Sequence, residues 1–117
     1  MRVSAVIWVN VQTPKEFFEN VMPKTFDPLK AVGIDCVVQM NLSGENGGDW
    51  IVTIKNQQIE IQDGVHPSPT VTVRMKDIDY VDMVNGTLSG ERAFMTGKLH
   101  FKGSMAAALK LKGLGIL

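Results

Sequence analysis

The sequence predicts an α+β domain in two layers: a five-stranded, mostly antiparallel sheet with helices on one face. Three observations carry this. Apolar and polar residues alternate through five short segments, the period of a half-buried strand. The first three of these segments are joined by turns too tight for a parallel crossover. Around them lie stretches with helix-start residues and apolar side chains at helical spacing. The chain has 117 residues, enough for one core without disulfide bridges, and its formal net charge is zero.

The elements follow in order. Val3, Ala5, Ile7, Val9 and Val11 alternate, although Val6 and Trp8 spoil the pattern, so residues 1–12 read as an extension offering an edge strand. Residues 13–117 read as the domain proper. Thr13 is a helix N-cap, Pro14 suits the first helical position, and Glu16 completes a capping box. Phe17, Phe18, Val21 and Met22 then form one apolar stripe. Pro23 and Pro28 break or kink the chain, which assigns Phe26 and Leu29 to a second short helical piece.

From Ile34 the period becomes two. Cys36, Val38, Met40 and Leu42 mark the first strand of the domain, and Gly44-Glu45-Asn46-Gly47-Gly48 is a hairpin loop. Trp50, Val52 and Ile54 mark the second strand, Asn56-Gln57 turns the chain, and Ile59 and Ile61 mark the third. A Pro-rich loop leads to the fourth, with Val71, Val73 and Met75 facing one way. Asp77 caps a helix carrying Ile78, Val81 and Val84 on one face, ended by Asn85-Gly86. Ser89 caps a short helix through Phe94, and Gly97 ends it. Leu99 and Phe101 lie on one side of the fifth strand. Ser104 caps a last helix through Met105, Ala108 and Leu109, with three consecutive alanines, Ala106 to Ala108. The polar strand positions are expected to face water.

The residues supply no catalytic constellation. His66 and His100 stand apart from any Cys or His at metal-ligand spacing, and no phosphate loop or nucleophile elbow is present. Tyr80 beside Asp79 is the one pair with proton-transfer chemistry, but Asp79 and Asp82 read as a solvated face opposite Ile78 and Val81. The expectation is therefore a protein that is not an enzyme, with no cofactor and no metal. The sheet lacks paired aromatics for stacking bases, which argues against nucleic acid. The single cysteine, Cys36, falls on the apolar face as a buried thiol and suits a reducing compartment. No signal peptide or membrane span is read, so a cytoplasmic location is expected. Charge is polarised: residues 1–85 balance to −4 and residues 86–117 to +4. The basic end reads as a solvated helix face, and also suits transient contact with an anionic lipid surface.

Leaving out Met1, six methionines remain. Met40, Met75 and Met105 project by alternation and helical spacing toward one interior. With Phe17, Phe18, Phe94 and Phe101 they suit either an ordinary core or an adaptable apolar cavity, because methionine fills irregular space.

From about Thr13 to its end the chain resembles the sterol carrier protein 2 domain. The resemblance rests on the helix with paired Phe17 and Phe18, the Leu42-Ser43-Gly44 … Gly48-Asp49-Trp50 hairpin, and Val71-Thr72-Val73 leading to Asp77. It rests further on Asn85-Gly86-Thr87-Leu88, and above all on Ala93-Phe94-Met95-Thr96-Gly97-Lys98-Leu99 followed by Phe101-Lys102-Gly103. The resemblance implies a hydrophobic tunnel between sheet and helices that binds fatty acid, fatty acyl-coenzyme A, phospholipid or sterol. Its wall would map onto Phe17, Phe18, Val21, Val38, Met40, Trp50, Val52, Val73, Met75, Val84, Phe94, Leu99, Phe101, Met105 and Leu109. The last helix with the Leu114–Leu117 tail would be its lid, and Arg92 and Lys112 are candidates to hold a headgroup. The peroxisomal Ser-Lys-Leu ending of many stand-alone members is replaced here by Gly115-Ile116-Leu117. The implied function is non-enzymatic lipid binding or transfer by a monomer or homodimer. The alternative is an accessory or self-association domain whose tunnel has filled in. The lipid reading requires interior apolar space that the protein leaves partly empty.

Overall fold

The computed structural model describes residues 10–117. Val3 to Val9 of the expected N-terminal strand lie outside them. Asn10 and Val11 are not in a strand. Val11 is instead buried, its N–H donating to Asn85 Oδ1 at 2.9 Å and its carbonyl accepting from Asn85 Nδ2 at 3.0 Å.

One helical run follows. It consists of α1 (Pro14–Glu16), a π-helical turn (Phe17–Val21) and α2 (Met22–Thr25). Thr13 caps it as expected, Oγ1 accepting from the Glu16 N–H. Glu16 reaches one residue further back than a capping box requires, to the Gln12 N–H. Pro23 kinks rather than ends the run. It has no N–H and crowds the carbonyl of Glu19, and the widened turn, closed by Met22 N–H to the Phe17 carbonyl, lies directly before it. The second helical piece is a 3₁₀ turn (Pro28–Ala31) that leaves out Phe26 and exposes Leu29.

The sheet comprises β1 (Cys36–Ser43), β2 (Gly48–Lys55), β3 (Gln58–Asp63), β4 (Val71–Lys76) and β5 (His100–Gly103), in the order β3-β2-β1-β4-β5. The first three form the expected antiparallel meander, with Met40 opposite Trp50 and Val52 opposite Ile61. Asn56 and Gln57 both take positive φ, 53° and 60°, the geometry of a tight hairpin turn whose twist suits the strands. β1 and β4 are parallel and β4 and β5 antiparallel, so the sheet is mixed and mostly antiparallel.

Joining β3 to β4 requires a crossover past β2 and β1, and it covers part of the outer sheet face. Gln39, expected in water, is 2% exposed there. Its Nε2 donates to the Gly64 carbonyl at 3.0 Å and its Oε1 accepts from the His66 N–H at 2.7 Å. Burying an amide is tolerable only with such partners. Ile51 is buried on the same face.

The helices α3 (Asp77–Val84), α4 (Gly90–Met95) and α5 (Met105–Gly113) complete the other layer. In α3 the buried face differs from the expected one. Ile78 is 64% exposed, while Tyr80 is fully buried and Asp77, Asp79 and Met83 are nearly so. The rotation follows from Asp77, whose Oδ2 accepts the Asn46 N–H at 2.8 Å and ties α3 to the β1–β2 hairpin. Gly44 makes room for that carboxylate: φ is +107° and a Cβ there would collide with it. Ser89 and Ser104 cap α4 and α5 as expected. The buried side of α5, however, carries Leu111 and the half-buried Ala107, while Met105 and Leu109 point outward at 58% and 65% exposure.

Candidate functional site

The inner face of β2, β1 and β4 carries the centre of the expected tunnel wall, and that centre is filled. Val38, Met40, Val52 and Val73 have no solvent exposure, and Phe17 and Met75 have almost none. Val21 and Val84 lie half-buried against them. Phe17, Phe18, Tyr80 and Trp50 form one aromatic cluster with ring centroids 5.0–6.0 Å apart. Such stacked and edge-on contacts add to simple burial.

Tyr80 is part of this filling and not of a proton-transfer site. Its hydroxyl donates to the Ile116 carbonyl at 3.0 Å, and burial drives its pKa far above a tyrosine's ordinary value. Ile116 is 1% exposed, so the tail beyond α5 tucks into the core as well as covering it. Asp79 is buried, contrary to its expected solvated position. Cys36 is a buried free thiol whose pKa is raised chiefly by burial.

Openings lie at either edge of this centre, a mixed one and an apolar one. At the β3 edge a cleft of about 380 Å³ has Phe18, Trp50, Ile59 and Ile61 among its walls, with Glu19, Gln62 and Asp63 at its polar side. At the β5 edge a groove of about 150 Å³ runs between α4, β5 and α5. Phe94, Leu99, Phe101, Met105 and Leu109 line it, together with Ala108 and Leu117. Among the described residues its only charged lining residues are Glu91 and Lys112, which pair with each other across α4 and α5.

The groove is built by local rules. Gly97, at φ +78°, ends α4 and turns the chain so that Leu99 packs inward while Phe94 stays half exposed on the helix. Phe101 opposes Val73 in the β4–β5 register and faces the helix layer. On α5, Met105, Ala108, Leu109 and Lys112 share one face at spacings of three and four residues. Ala108 keeps the slot open where a larger side chain would fill it. Phe94, Met105 and Leu109 thus remain exposed, at 52%, 58% and 65%, around an apolar slot. Met105 belongs to this rim rather than to the interior shared by Met40 and Met75.

A larger cleft of about 820 Å³ opens at the ends of β1 and β4, but Asp49, Arg74, Lys76, Asp79 and Lys98 stand in its walls and it suits water more than a lipid. The candidate wall residues therefore fall into three groups: five at the groove, Phe18 and Trp50 at the opposite cleft, and the rest in the core between. Sequence reasoning missed Glu91 and Ala108 as groove residues. The signal was there, since Glu91 lies three residues before Phe94 and Ala108 lies between Met105 and Lys112 on one helix face. Among the described residues, no helix is long and apolar enough to cross a membrane.

Comparison with known proteins gives the family. The chain is similar to the Hydroxysteroid dehydrogenase-like protein 2 of Bos taurus, 44% identical over 80 residues, which cover 67% of this chain and 19% of the relative. The chain thus spans about a fifth of that relative's length. It is similar to the Oleate-induced peroxisomal protein POX18 of Candida maltosa, 27% identical over 103 residues, covering 86% of this chain and 81% of the relative. Among solved structures it is similar to palmitated SCP2L2 from Aedes aegypti, with a TM-score of 0.67 and 26% identity over 89% of this chain and 95% of that one. The model of the SCP-2 sterol transfer family matches residues 19–115, and the chain belongs to that family.

Proposed function

We propose that this chain binds a long-chain lipid without transforming it, taking the alkyl tail through the α4–β5–α5 groove. One observation carries the reading: large apolar side chains, Phe94, Met105 and Leu109, are left exposed around a slot whose walls are otherwise almost wholly apolar. The palmitated Aedes aegypti neighbour and the family match support it.

The driving force is removal of methylenes from water, about 0.8 kcal/mol each, or on the order of 10 kcal/mol for a long chain. Ordering the lipid and the protein takes back a large share, which leaves roughly micromolar affinity, suited to release as well as capture. At about 150 Å³ the groove admits only the end of such a chain. Full binding requires α5 and its tail to move off Leu99 and Phe101, with Leu117 the first residue displaced. The expected result of titrating delipidated protein with a fluorescent fatty acid is a saturable signal at micromolar concentration. No saturation, together with no lipid in mass spectra of the purified protein, overturns the reading.

The filled centre favours one rival, an accessory or self-association domain that has lost its ligand. It predicts that lipid leaves the protein unchanged and that gel filtration gives a stable oligomer which removal of residues 1–11 abolishes. A relative named as peroxisomal makes the peroxisome as fitting a place as the cytoplasm, and cell fractionation separates the two. Exposed apolar residues at a basic end also suit a brief docking on an anionic membrane during transfer.

A further inference from the structure

We propose that the cleft at the ends of β1 and β4 is a second binding site, for a small water-soluble sugar phosphate. Asp79 holds a sugar hydroxyl there, and Arg74, Lys76 and Lys98 hold the phosphate.

Asp79 is 8% exposed and lines this cleft, yet among the described residues its carboxylate accepts no hydrogen bond and pairs with no cation. Asp77, in the same helical turn, is just as buried but accepts from the N–H groups of Asn46 and Ile78. A carboxylate taken out of water needs donors, and the dipole of the first turn of α3 replaces only part of its lost hydration. The cleft, at about 820 Å³, gives a donor from outside the chain room to reach it.

The walls supply the complementary charge. The parallel strands β1 and β4 end side by side at Ser43 and Lys76. From there the chain leaves β1 for the β2 hairpin and leaves β4 directly into α3, so the two exits diverge. The same divergence opens ligand crevices at the carboxyl ends of parallel strands elsewhere. On the outer sheet face Asp49, Asn41, Arg74 and His100 are successive cross-strand neighbours. With strands about 4.8 Å apart, Asn41 holds Asp49 and Arg74 roughly 10 Å from each other, too far to pair. Arg74, Lys76 and Lys98 are all exposed, and among the described residues none has an acidic partner.

Three such cations favour a phosphate dianion, since a single carboxylate leaves most of their charge unmatched. They also repel an ammonium group, which leaves a hydroxyl as the donor to Asp79. Ile78, exposed in the same wall, can cover the C–H face of a sugar ring. Arg74 alternates with the inward Val73 and Met75 and so stands on the sheet face away from the lipid groove. The ligand is therefore a free molecule and not the headgroup of a lipid held in that groove.

The test is isothermal titration of the whole chain with ribose 5-phosphate, ribose and inorganic phosphate, in the unaltered protein and in Asp79→Ala, Asp79→Asn and Arg74→Gln. Ribose 5-phosphate is expected to bind about tenfold more tightly than phosphate, the worth of one hydrogen bond to a charged group, and ribose to give no saturable heat. Asp79→Ala is expected to abolish that tenfold preference while phosphate binds as before or more tightly, because a negative neighbour is gone. A merely structural Asp79 would weaken both ligands together. Asp79→Asn keeps the shape of the side chain and is expected to lose a few-fold for ribose 5-phosphate alone, which reads the same contact if the alanine variant does not fold. Arg74→Gln, at an exposed strand position, is expected to weaken both ligands several-fold. Equal affinity for ribose 5-phosphate and phosphate, a preference that survives the Asp79 substitutions, or no saturable heat from either ligand overturns the site.

Discussion

At the β1–β2 end of the molecule large apolar side chains are buried even beside the cleft at the β3 edge, and at the β5 end they stand in solvent. Phe18 and Trp50 meet with ring centroids 5.0 Å apart, and Met40, Val52 and Ile54 have no exposure at all. Across the sheet, a six-residue helix, a four-residue strand and the turn between them present Phe94, Phe101 and Leu99 to an α5 whose Met105 and Leu109 stand in solvent. Both ends carry large apolar side chains, but Phe18 and Trp50 are buried where Met105 and Leu109 are exposed. The β1–β2 end holds two aromatic residues on a π turn under eight-residue strands. The β5 end has short elements, a small-residue helix and a tail, which cannot cover their own apolar surface. On the proposed reading the difference separates stability, which rests on Phe18, from binding, which rests on Leu109.

The strongest way to break this comparison is Phe18→Ala. A buried phenylalanine cut to alanine costs about 3–5 kcal/mol, a large part of a domain's usual stability of about 5–15 kcal/mol. Urea denaturation is expected to show a midpoint falling sharply or no folded baseline. A loss no larger than that of Phe94→Ala would mean that the two ends are equally loose.

Tyr80 joins the two ends, and its hydroxyl gives the next largest effect. Tyr80→Phe leaves the Ile116 carbonyl buried without its donor, at a cost of about 1–3 kcal/mol. The alkaline limb tests the same contact without mutation. The folded state holds the Tyr80 proton more tightly than the unfolded chain, because burial raises its pKa. Stability is therefore full below a tyrosine's ordinary pKa of about 10 and is lost progressively as pH climbs above it. Tyr80 is the only tyrosine in the chain, so tyrosinate absorption reports on it alone. The band is expected to appear together with loss of secondary structure. A band rising near pH ~10 in protein that is still folded would mean that solvent reaches Tyr80 past the tail.

Much of this architecture was legible in the residues. Period-two alternation from Cys36 to Ile61 and from Val71 to Met75 placed four strands and their inward faces, because a strand has only two faces and burial picks one. Helix ends were legible at Thr13, Ser89, Ser104 and Gly97, where the chemistry is local. Helix faces were less so. α3 turns on Asp77, which answers to Asn46 in a distant hairpin, and α5 turns on Leu111 because Ile116 folds back beneath it. Asn46 lies 31 residues from Asp77, and Ile116 lies beyond the end of α5, so neither is read from the helix's own periodicity. Gln39 was assigned to water for the same reason, since the covering loop arrives from beyond β3. The groove was partly legible: Phe94, Leu99, Phe101, Met105 and Leu109 were all named as wall. That the middle of the expected tunnel is filled was not, because alternation says which way a side chain points and nothing about how much room lies beyond it.

The smallest effect on stability carries the most information about the β5 end. Leu109 is 65% exposed and Phe94 52%, so truncating either to alanine removes little that the folded protein alone uses. Each change is expected to leave stability within about 0.5 kcal/mol of the unaltered chain, the range of ordinary surface substitutions. On the proposed reading a bound alkyl chain covers those same side chains. Removing the leucine's extra carbons then costs about 1.5 kcal/mol of burial, close to a tenfold loss of lipid affinity. Fluorescent fatty acid titration beside urea denaturation reads both quantities on one preparation. Stability unchanged with affinity down assigns the exposed apolar rim to the ligand. Affinity unchanged in both variants and in their combination removes the groove from the binding path and directs the alkyl chain to the opposite cleft, where Phe18 and Trp50 stand in the wall.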